Sequence, residues 1–164
     1  GTGPGEFIEP SGIAIDHNGN IWVSDHRYYR VEEFDSKGGY LRSISGLEAP
    51  EGVAVDPENH IWVVDARAYR IDEYTATGEQ ISHFGSYGTG NGQFSEPTVL
   101  DIRQSGNLLI ADRETGRVQE FSPSGEYLTQ FGGGQFSEPD GVLTVGGGVV
   151  YVSNSANNKV EKWK

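Results

Sequence analysis

The residues with the clearest chemical spacing in the sequence are acid and base side chains that stand five positions apart. This spacing recurs four times, as Asp25 with Arg30, Asp65 with Arg70, Asp112 with Arg117, and Asn154 with Lys159. A carboxylate and a guanidinium at hydrogen-bonding distance form a strong, charge-assisted contact. Because the spacing returns in every copy of a repeat, we predict that the Asp–Arg pairs brace loops of the structure rather than perform chemistry.

A second set of basic and aromatic residues lies in the same segments but is not repeated in every copy. Its members are Arg27, Tyr28, Tyr29, Arg67, Tyr69 and Arg113. Arginine and aromatic side chains are enriched at the sites where proteins bind partners. We predict that these side chains form a binding surface, the alternative being a solvated rim that binds nothing.

The sequence predicts no catalytic centre, no metal site and no cofactor. Cysteine is absent, which removes thiolate ligands and cysteine nucleophiles. The four histidines fall on different turns and strands of the repeat, so we do not expect them to meet at one zinc ion. Residues 16–20 begin like a calcium loop, but Ile21 and Arg27 stand where such a loop requires Gly and Glu.

The formal net charge of −12 over 164 residues opposes broad binding to nucleic acids or anionic membranes, because such binding needs an excess of Lys and Arg. No apolar run approaches the ~18 residues of a membrane-spanning helix, and we see no basic-then-apolar leader. We therefore expect a soluble protein. The composition is compatible with an extracellular location but does not decide the compartment.

The elements that must position these residues belong to an internal repeat, which begins at Pro10, Pro50, Pro97 and Pro139. Each proline is followed by an apolar run, a turn, a second apolar run that ends at the acid or amide, and a third run after the base. A fourth run closes the first three copies. The runs are only ~4–6 residues long and are separated by turn residues, which predicts strands rather than helices. Four antiparallel strands in each copy of ~42 residues predict all-β propeller blades.

The pattern Pro-x-Gly-apolar-Ala-apolar-Asp, then apolar-aromatic-Val-x-Asp, then x4-Arg-apolar-x-x-aromatic, resembles the NHL repeat over essentially the whole chain. The match is specific in the first three copies and weaker in the fourth, where Asn154 and Lys159 replace the acid and the Arg. The Asn-His dipeptide that usually precedes the Arg is not kept. The resemblance implies a propeller whose first strands line a central channel. It also implies that the loops between second and third strands share a face with the segments leading into each blade.

Three carboxylates, Asp16, Asp56 and Asp101, fall in the segments that would line the channel. Asp16 and Asp56 end their apolar runs beside turns, where short polar side chains favour turn formation. Asp101 interrupts an apolar run, and we expect it to pair with Arg103, two residues further on. This set gives little support to acid–base catalysis in the channel.

We predict one domain, residues 1–164, with blades at about residues 1–46, 47–86, 87–133 and 134–164. The last blade lacks its outermost strand, so fifteen strands are expected. Three arrangements remain open. The chain is a segment of a larger ring, or it pairs with a second copy into an eight-bladed ring or joins a larger assembly, or it closes as a four-bladed monomer.

The predicted function is that of a non-catalytic NHL-type scaffold that binds a protein or a small ligand through its loop face. The alternative is a fragment of a propeller hydrolase or lyase, either lactonase-like or amidating-lyase-like, because such enzymes share the architecture. RNA binding, which occurs among NHL propellers of developmental regulators, is the least favoured hypothesis because the chain is acidic. A membrane is not an expected partner.

Overall fold

The computed structural model describes residues 1–164 as fifteen β-strands and four short 3-10 turns, without an α-helix. The strands form four antiparallel sheets, three of them four-stranded and the last three-stranded, each in simple sequential order. The predicted all-β fold of four propeller blades is therefore confirmed, as is the missing outer strand of the last blade. No helix in the structure has the length and apolar character needed to span a membrane.

The strands of the first two blades follow the apolar runs of the first two repeats. Blade 1 contains β1 (Pro10–Ile15), β2 (Ile21–Asp25), β3 (Arg30–Phe34) and β4 (Tyr40–Ser45). Blade 2 contains β5 (Pro50–Val55), β6 (Ile61–Asp65), β7 (Arg70–Tyr74) and β8 (Gln80–Phe84).

The strands of the last two blades follow the same pattern, except that blade 4 ends after its third strand. Blade 3 contains β9 (Pro97–Ile102), β10 (Leu108–Asp112), β11 (Arg117–Phe121) and β12 (Tyr127–Phe131). Blade 4 contains β13 (Pro139–Val145), β14 (Val149–Asn154) and β15 (Lys159–Trp163).

The turn between the first and second strands is built around the aspartate that ends the first apolar run. Asp16 Oδ1 accepts hydrogen bonds from the backbone N–H groups of Asn18 (2.9 Å) and Asn20 (2.8 Å). Its Oδ2 accepts one from the indole N–H of Trp22 at 3.4 Å, and Asp56 makes the equivalent contacts in blade 2. One carboxylate therefore shapes the turn and satisfies the polar atom of a core tryptophan, as expected for a turn initiator.

The segments at the other end of the sheets define the loop face. Lead-in loops, residues 1–9, 46–49, 85–96 and 132–138, precede the first strand of each blade, and residues 26–29, 66–69, 113–116 and 155–158 join the second and third strands. Backbone hydrogen bonds hold the two sets of loops together, for example from His26 N to Glu9 O at 3.0 Å and from Arg113 N to Glu96 O at 2.9 Å.

The hydrophobic core is divided among three clusters, one between each pair of consecutive blades. Trp22 of blade 1 shares a cluster with Val53 of blade 2, Trp62 of blade 2 shares one with Leu100 of blade 3, and Leu109 of blade 3 lies in the third. The first strands β1, β5, β9 and β13 lie side by side along the inner edge of this row. Each sheet is thus stabilised by its neighbours, as in other repeat folds.

Candidate functional site

The acid that ends each second strand holds the lead-in loop of its own blade. The Asp25 carboxylate, fully buried, accepts the backbone N–H groups of Ile8 at 3.0 Å and Glu9 at 2.9 Å. Burial opposes the ionisation of Asp25, but the N–H donors of Glu9 and Ile8 outweigh it, so its pKa lies below the ordinary value. The equivalent acceptors in the other blades are Asp65, Asp112 and Asn154.

The arginine that begins each third strand holds the same loop by other atoms in blades 1 and 3. Arg30 donates to the carbonyl oxygens of Gly3 at 3.0 Å and Glu6 at 2.6 Å. Arg117 donates to those of Gly90 at 3.0 Å and Gln93 at 2.9 Å. In these two blades the acid and the arginine therefore form their hydrogen bonds with the loop backbone rather than with each other.

Direct contact within the predicted Asp–Arg pairs is long or absent. Arg70 lies 3.4 Å from Asp65 and Arg117 lies 3.8 Å from Asp112. No oxygen of Asp25 lies within 4.0 Å of an Arg30 nitrogen, and the nearest carboxylate to that guanidinium is Glu32 at 3.3 Å.

Blade 2 differs because its lead-in loop is short. Residues 46–49 pass directly from β4 to β5, whereas residues 85–96 make a long excursion before β9. Arg70 forms no hydrogen bond with a loop carbonyl oxygen. Its Nε donates instead to Asp72 Oδ2 at 3.1 Å. Its side chain is 30% exposed, against 9% for Arg30 and 6% for Arg117. The loop face is consequently open at blade 2.

The three arginines among the predicted binding residues have different surroundings. Arg27 and Arg67 are exposed and form neither an ion pair nor a side-chain hydrogen bond. Arg113 lies 3.2 Å from Glu138 and 3.4 Å from Asp140, and its hydrogen bond to Glu138 raises its pKa. Arg27 and Arg67 can therefore receive a ligand acceptor, while Arg113 ties blade 3 to blade 4.

The predicted binding tyrosines project from the same loops. The Tyr28 ring lies under the Arg30 guanidinium, 4.5 Å from ring centroid to carbon. Tyr69 meets Tyr87 edge to face, with ring centroids 4.8 Å apart. Tyr87, which the sequence did not single out, is 66% exposed.

Two of these tyrosines have a left-handed backbone. Tyr29 has a φ of 56° and Tyr69 a φ of 54°, a conformation that bulky residues rarely adopt. The corresponding residues of blades 3 and 4 are Gly116 and Asn158, with φ of 63° and 53°, and both residue types suit this region. Tyrosine is thus present in blades 1 and 2 against the local backbone preference.

The four first strands form the wall of a central groove with a volume of about 850 Å³. At its mouth His26 Nδ1 lies 2.7 Å from Glu51 Oε1. Burial raises the pKa of Glu51, although the contact with His26 opposes the rise. Arg67 and Tyr69 line the same groove, so the unpaired guanidinium of blade 2 and the neighbouring tyrosine border its opening.

Of the three carboxylates that the sequence predicted in the channel, only Asp101 lines the groove. Asp16 and Asp56 are buried in turns, whereas Glu51, Glu96 and Asp140 line the groove. Glu51 and Asp140 directly follow the proline that begins their repeat, where the strand pairing is irregular, and a β-bulge re-aims side chains. A sequence signal existed, because the residue after this proline is polar in every repeat, as Ser11, Glu51, Thr98 and Asp140.

The expected pair of Asp101 with Arg103 does not form. Asp101 Oδ2 accepts a hydrogen bond from the backbone N–H of Thr144 in blade 4, and Arg103 pairs with Glu120 at 3.1 Å. Asp101 stands at the strand position that faces the next blade, so its nearest donor belongs to β13.

One histidine joins two carboxylates in a way that the sequence did not reveal. Ligand-type atoms of Asp56, His60 and Glu73 lie within 4.8 Å of one another, with His60 Nδ1 2.9 Å from Glu73 Oε1. In blades 1 and 3 an asparagine amide makes the same bridge. Asn20 donates a hydrogen bond to Glu33 at 2.7 Å, and Asn107 donates one to Glu120 at 2.9 Å. His60 takes the place of those asparagines, which explains the cluster structurally.

Comparison with known proteins finds sequence relatives that the chain matches over only part of their length. No family model matches the chain. It is 26% identical over 154 residues to protein brain tumor of Drosophila melanogaster, covering 93% of this chain and 11% of that protein. It is 32% identical over 173 residues to peptidyl-glycine alpha-amidating monooxygenase B of Xenopus laevis, covering 93% and 20%. The chain thus spans only about a tenth to a fifth of these relatives.

Solved structures show the same fold at low sequence identity. A virginiamycin B lyase from Staphylococcus aureus gives a TM-score of 0.76 at 18% identity, with 94% of this chain and 55% of that chain aligned. A chain of a nidogen/laminin complex gives 0.78 at 19%, covering 94% and 60%, and a putative gluconolactonase gives 0.77 at 16%, covering 95% and 59%. The chain is therefore a β-propeller structure with both enzymes and binding proteins among its structural neighbours, while its assignment to the NHL repeat stays a prediction.

Proposed function

We propose that the chain is a non-catalytic NHL-type scaffold that binds a segment of a partner protein on its loop face, centred on blade 2. The observation that carries this proposal is the exposed, unpaired guanidinium of Arg67 beside the Tyr69–Tyr87 pair at the mouth of the central groove. A free arginine, a half-buried tyrosine and the exposed ring of Tyr87 combine hydrogen-bond donors with apolar contact area, which is the composition of binding hot spots.

The short lead-in loop supports blade 2 as the centre of the surface. In blades 1 and 3, Arg30 and Arg117 donate hydrogen bonds to carbonyl oxygens of the chain's own lead-in loops. Arg70 has no such partner and remains 30% exposed. A bound polypeptide has room here, and its carbonyl oxygens would meet Arg70 Nη1, the one guanidinium nitrogen that forms no hydrogen bond within the chain.

The backbone strain at the tyrosines also supports a binding role. A residue held in a sparsely populated backbone region costs on the order of 1–3 kcal/mol, and such residues cluster at functional sites. Tyr29 and Tyr69 occupy the position at which blades 3 and 4 have Gly116 and Asn158. The fold has no need of an aromatic ring there, so the two tyrosines fit a contact function.

The backbone preference at Tyr69 provides a sharp test. Tyr69→Asn should keep or slightly raise the melting temperature, because Asn favours the left-handed region, while binding is lost. The probe is a set of peptides selected on the immobilised chain from a random-peptide library. We expect their affinity to fall at least about tenfold in Tyr69→Asn and in Arg67→Ala, the loss typical of a moderately important contact residue.

The matched control is Lys37→Ala, which removes a cation from an exposed turn at the opposite end of the sheets. Selected peptides that bind both variants as tightly as the unsubstituted chain would show that blade 2 is not the binding surface. A fall in melting temperature of Tyr69→Asn would show instead that the ring has a structural role.

An enzyme fragment is the second candidate, supported by the His26–Glu51 contact of 2.7 Å at the mouth of the groove. A histidine beside a half-buried carboxylate can transfer protons, and the similarity to an amidating monooxygenase agrees with such an origin. Turnover of a simple lactone that disappears in His26→Asn would favour this candidate. Turnover that disappears with a chelator would add a metal requirement.

RNA binding has the least support. The cations Arg30, Arg70, Arg113 and Arg117 are engaged by carbonyl or carboxylate oxygens of the chain itself. Few positive charges remain to release counterions from a phosphate backbone. A gel shift with steep salt dependence would contradict this interpretation.

A further inference from the structure

At the turn end of the sheets, opposite the loop face, blades 1, 2 and 3 have a polar cluster built from three equivalent positions. The first position directly follows the first strand, the second directly precedes the second strand, and the third is the fourth residue of the third strand. The positions hold Asp16, Asn20 and Glu33 in blade 1, Asp56, His60 and Glu73 in blade 2, and Arg103, Asn107 and Glu120 in blade 3. We call the set in blade 2 the blade 2 cluster.

An arginine neutralises the glutamate of this cluster in blades 1 and 3. In blade 1, Arg42 Nε from the neighbouring strand β4 lies 2.7 Å from Glu33 Oε2. In blade 3 the arginine occupies the first position of the cluster, and Arg103 Nε lies 3.1 Å from Glu120 Oε1. A charged group removed from water is stable only with a compensating partner. The arginine therefore allows a largely buried glutamate to remain ionised in these two blades.

The blade 2 cluster has the acids but neither arginine. Ser82 replaces Arg42 as the cross-strand partner of the glutamate. Asp56 takes the place of Arg103 after the first strand. Asp56 and Glu73 are 6% and 9% exposed, and neither forms an ion pair with an arginine or a lysine. The histidine occupies a structural place, but two buried carboxylates depend on it alone for positive charge.

Three ligand atoms of the blade 2 cluster already lie close together. His60 Nδ1 is 2.9 Å from Glu73 Oε1 and 3.6 Å from Asp56 Oδ2, and all three ligand atoms lie within 4.8 Å of one another. Around a tetrahedral zinc ion, ligand atoms about 2.0–2.1 Å from the metal stand about 3.3–3.4 Å apart. Small rotations of the side chains therefore suffice to place all three atoms on one ion.

Hydrogen bonds fix the orientation of both carboxylates of the cluster. Asp56 Oδ1 accepts two backbone N–H groups of its own turn, at 2.8 and 3.0 Å, and its Oδ2 accepts the indole N–H of Trp62 at 2.9 Å. Glu73 Oε2 accepts the hydroxyl of Ser82 at 2.6 Å. Such bonds orient the ligating carboxylates of metal sites, and here they leave Glu73 Oε1 directed at the histidine.

We propose that the blade 2 cluster binds a divalent transition-metal ion such as Zn²⁺ through Asp56, His60 and Glu73. Imidazole nitrogen with carboxylate oxygen is a ligand set of zinc, whereas Mg²⁺ and Ca²⁺ take oxygen ligands. The ion replaces the proton between His60 Nδ1 and Glu73, and the neutral imidazole then has its proton on Nε2. The His60 side chain is 33% exposed, so water can complete the coordination.

The bound ion supplies the positive charge that an arginine supplies in blades 1 and 3. It also ties the turn between β5 and β6 to strand β7, since its ligands come from both. The site lies at the opposite end of the sheets from the loop face, so this inference does not depend on what that face binds.

Calorimetric titration of the full chain with ZnCl₂, after treatment with a chelator, tests the proposal. We expect one Zn²⁺ to bind per chain. The melting temperature should rise when Zn²⁺ is added, because an ion that binds the folded state stabilises it. Ca²⁺ at the same concentration should give neither effect, since one of the three ligands is an imidazole.

His60→Asn is the decisive variant because it removes the nitrogen ligand without removing the bridge. It reproduces the hydrogen bonds that Asn20 and Asn107 make in blades 1 and 3, so its melting temperature without metal should match the parent chain. We expect its Zn²⁺ dissociation constant to rise more than about a hundredfold, the upper limit for changes outside the ligands. Ser82→Arg should act similarly by supplying the arginine of blade 1. His83→Asn is the matched control, because His83 is exposed on the neighbouring strand β8.

A parent chain that binds no Zn²⁺, or a His60→Asn variant that binds it as tightly as the parent, would overturn the proposal. Loss of binding in His83→Asn would also overturn it, because the ion would then lie elsewhere. Stabilisation of the parent chain by acid but not by Zn²⁺ would show that protonated His60 supplies the missing charge instead of a metal ion.

Discussion

At the scale of single residues, equivalent positions of the repeat have different hydrogen-bond partners in different blades. The third-strand position holds Glu32 and Gln119 in blades 1 and 3, where each accepts an N–H of a lead-in glycine. In blade 2 the position holds Asp72, which no loop covers and which Arg70 contacts instead. The same position therefore accepts a loop N–H in blades 1 and 3, whereas in blade 2 it contacts only side chains, among them Arg70.

The stability of an Arg70→Ala variant should depend on pH. Burial raises the pKa of Asp72, and contact with Arg70 opposes that rise. Without Arg70 the folded-state pKa rises further, so the buried carboxylate costs stability at neutral pH. We expect a loss of about 2 kcal/mol near neutral pH that disappears as the pH falls towards the ordinary carboxyl pKa of about 3.9.

Urea unfolding of Arg70→Ala at about pH 7 and about pH 4 measures this dependence. Asp72→Asn in the Arg70→Ala background is the control and should abolish the difference, because Gln119 shows that an amide fits the position. An equal loss of stability at both pH values would mean that Arg70 does not act through Asp72.

At the scale of elements, the lead-in loops decide which part of the loop face is open. The loop of blade 3 crosses over Arg117 and then buries Phe94 in the cluster between blades 2 and 3. The short loop of blade 2 buries Leu47 in the equivalent place but leaves Arg70 uncovered. Loop length, and not the strands, therefore makes blade 2 different.

The glycine that follows the fourth strand controls the direction of each lead-in loop. Gly132 has a φ of 78°, and a methyl group there would overlap the Phe136 ring. Gly46 has a similar φ of 86° but open space around it. We expect Gly132→Ala to cost roughly 2–4 kcal/mol through backbone strain and overpacking, and Gly46→Ala about 1 kcal/mol through strain alone.

Denaturant unfolding of these two glycine variants side by side makes the comparison. Equal losses would indicate that backbone conformation alone matters and that the contact with Phe136 does not position the loop of blade 4.

At the scale of the whole molecule, stability comes from a row of three shared cores rather than from one centre. Strands β6 and β10 are buried at every residue, whereas β1 and β15 are mostly exposed. In a repeat array each unit depends on its nearest neighbours. The outer blades, with one neighbour each, are therefore the least stable part of a single chain.

Amide hydrogen exchange should show this gradient directly. We expect β1 and β15 to exchange faster than β6 and β10, because local opening of an end blade breaks only one core. Uniform protection across the four blades would show that the row unfolds as a single unit.

The sequence by itself determined the four repeats, the strand type of each run and the turns at Asp16 and Asp56. These features depend on residues close together in the chain, where alternation and turn chemistry act locally. It also identified the acids and arginines of the loop face, because they recur at one spacing. Arg27, Arg67 and Arg113 could not be told apart in the same way.

Only the tertiary structure decided which of these side chains are free. Arg113 is neutralised by carboxylates from another blade, and His26 meets Glu51 across a blade boundary, contacts that depend on how one sheet packs against the next. The exposure of Ile13 and Val160 is likewise a property of the row and not of any single repeat. Spacing along a chain reports on local geometry. Contact between blades depends on how each sheet is rotated relative to the next, which the sequence of a single repeat does not determine.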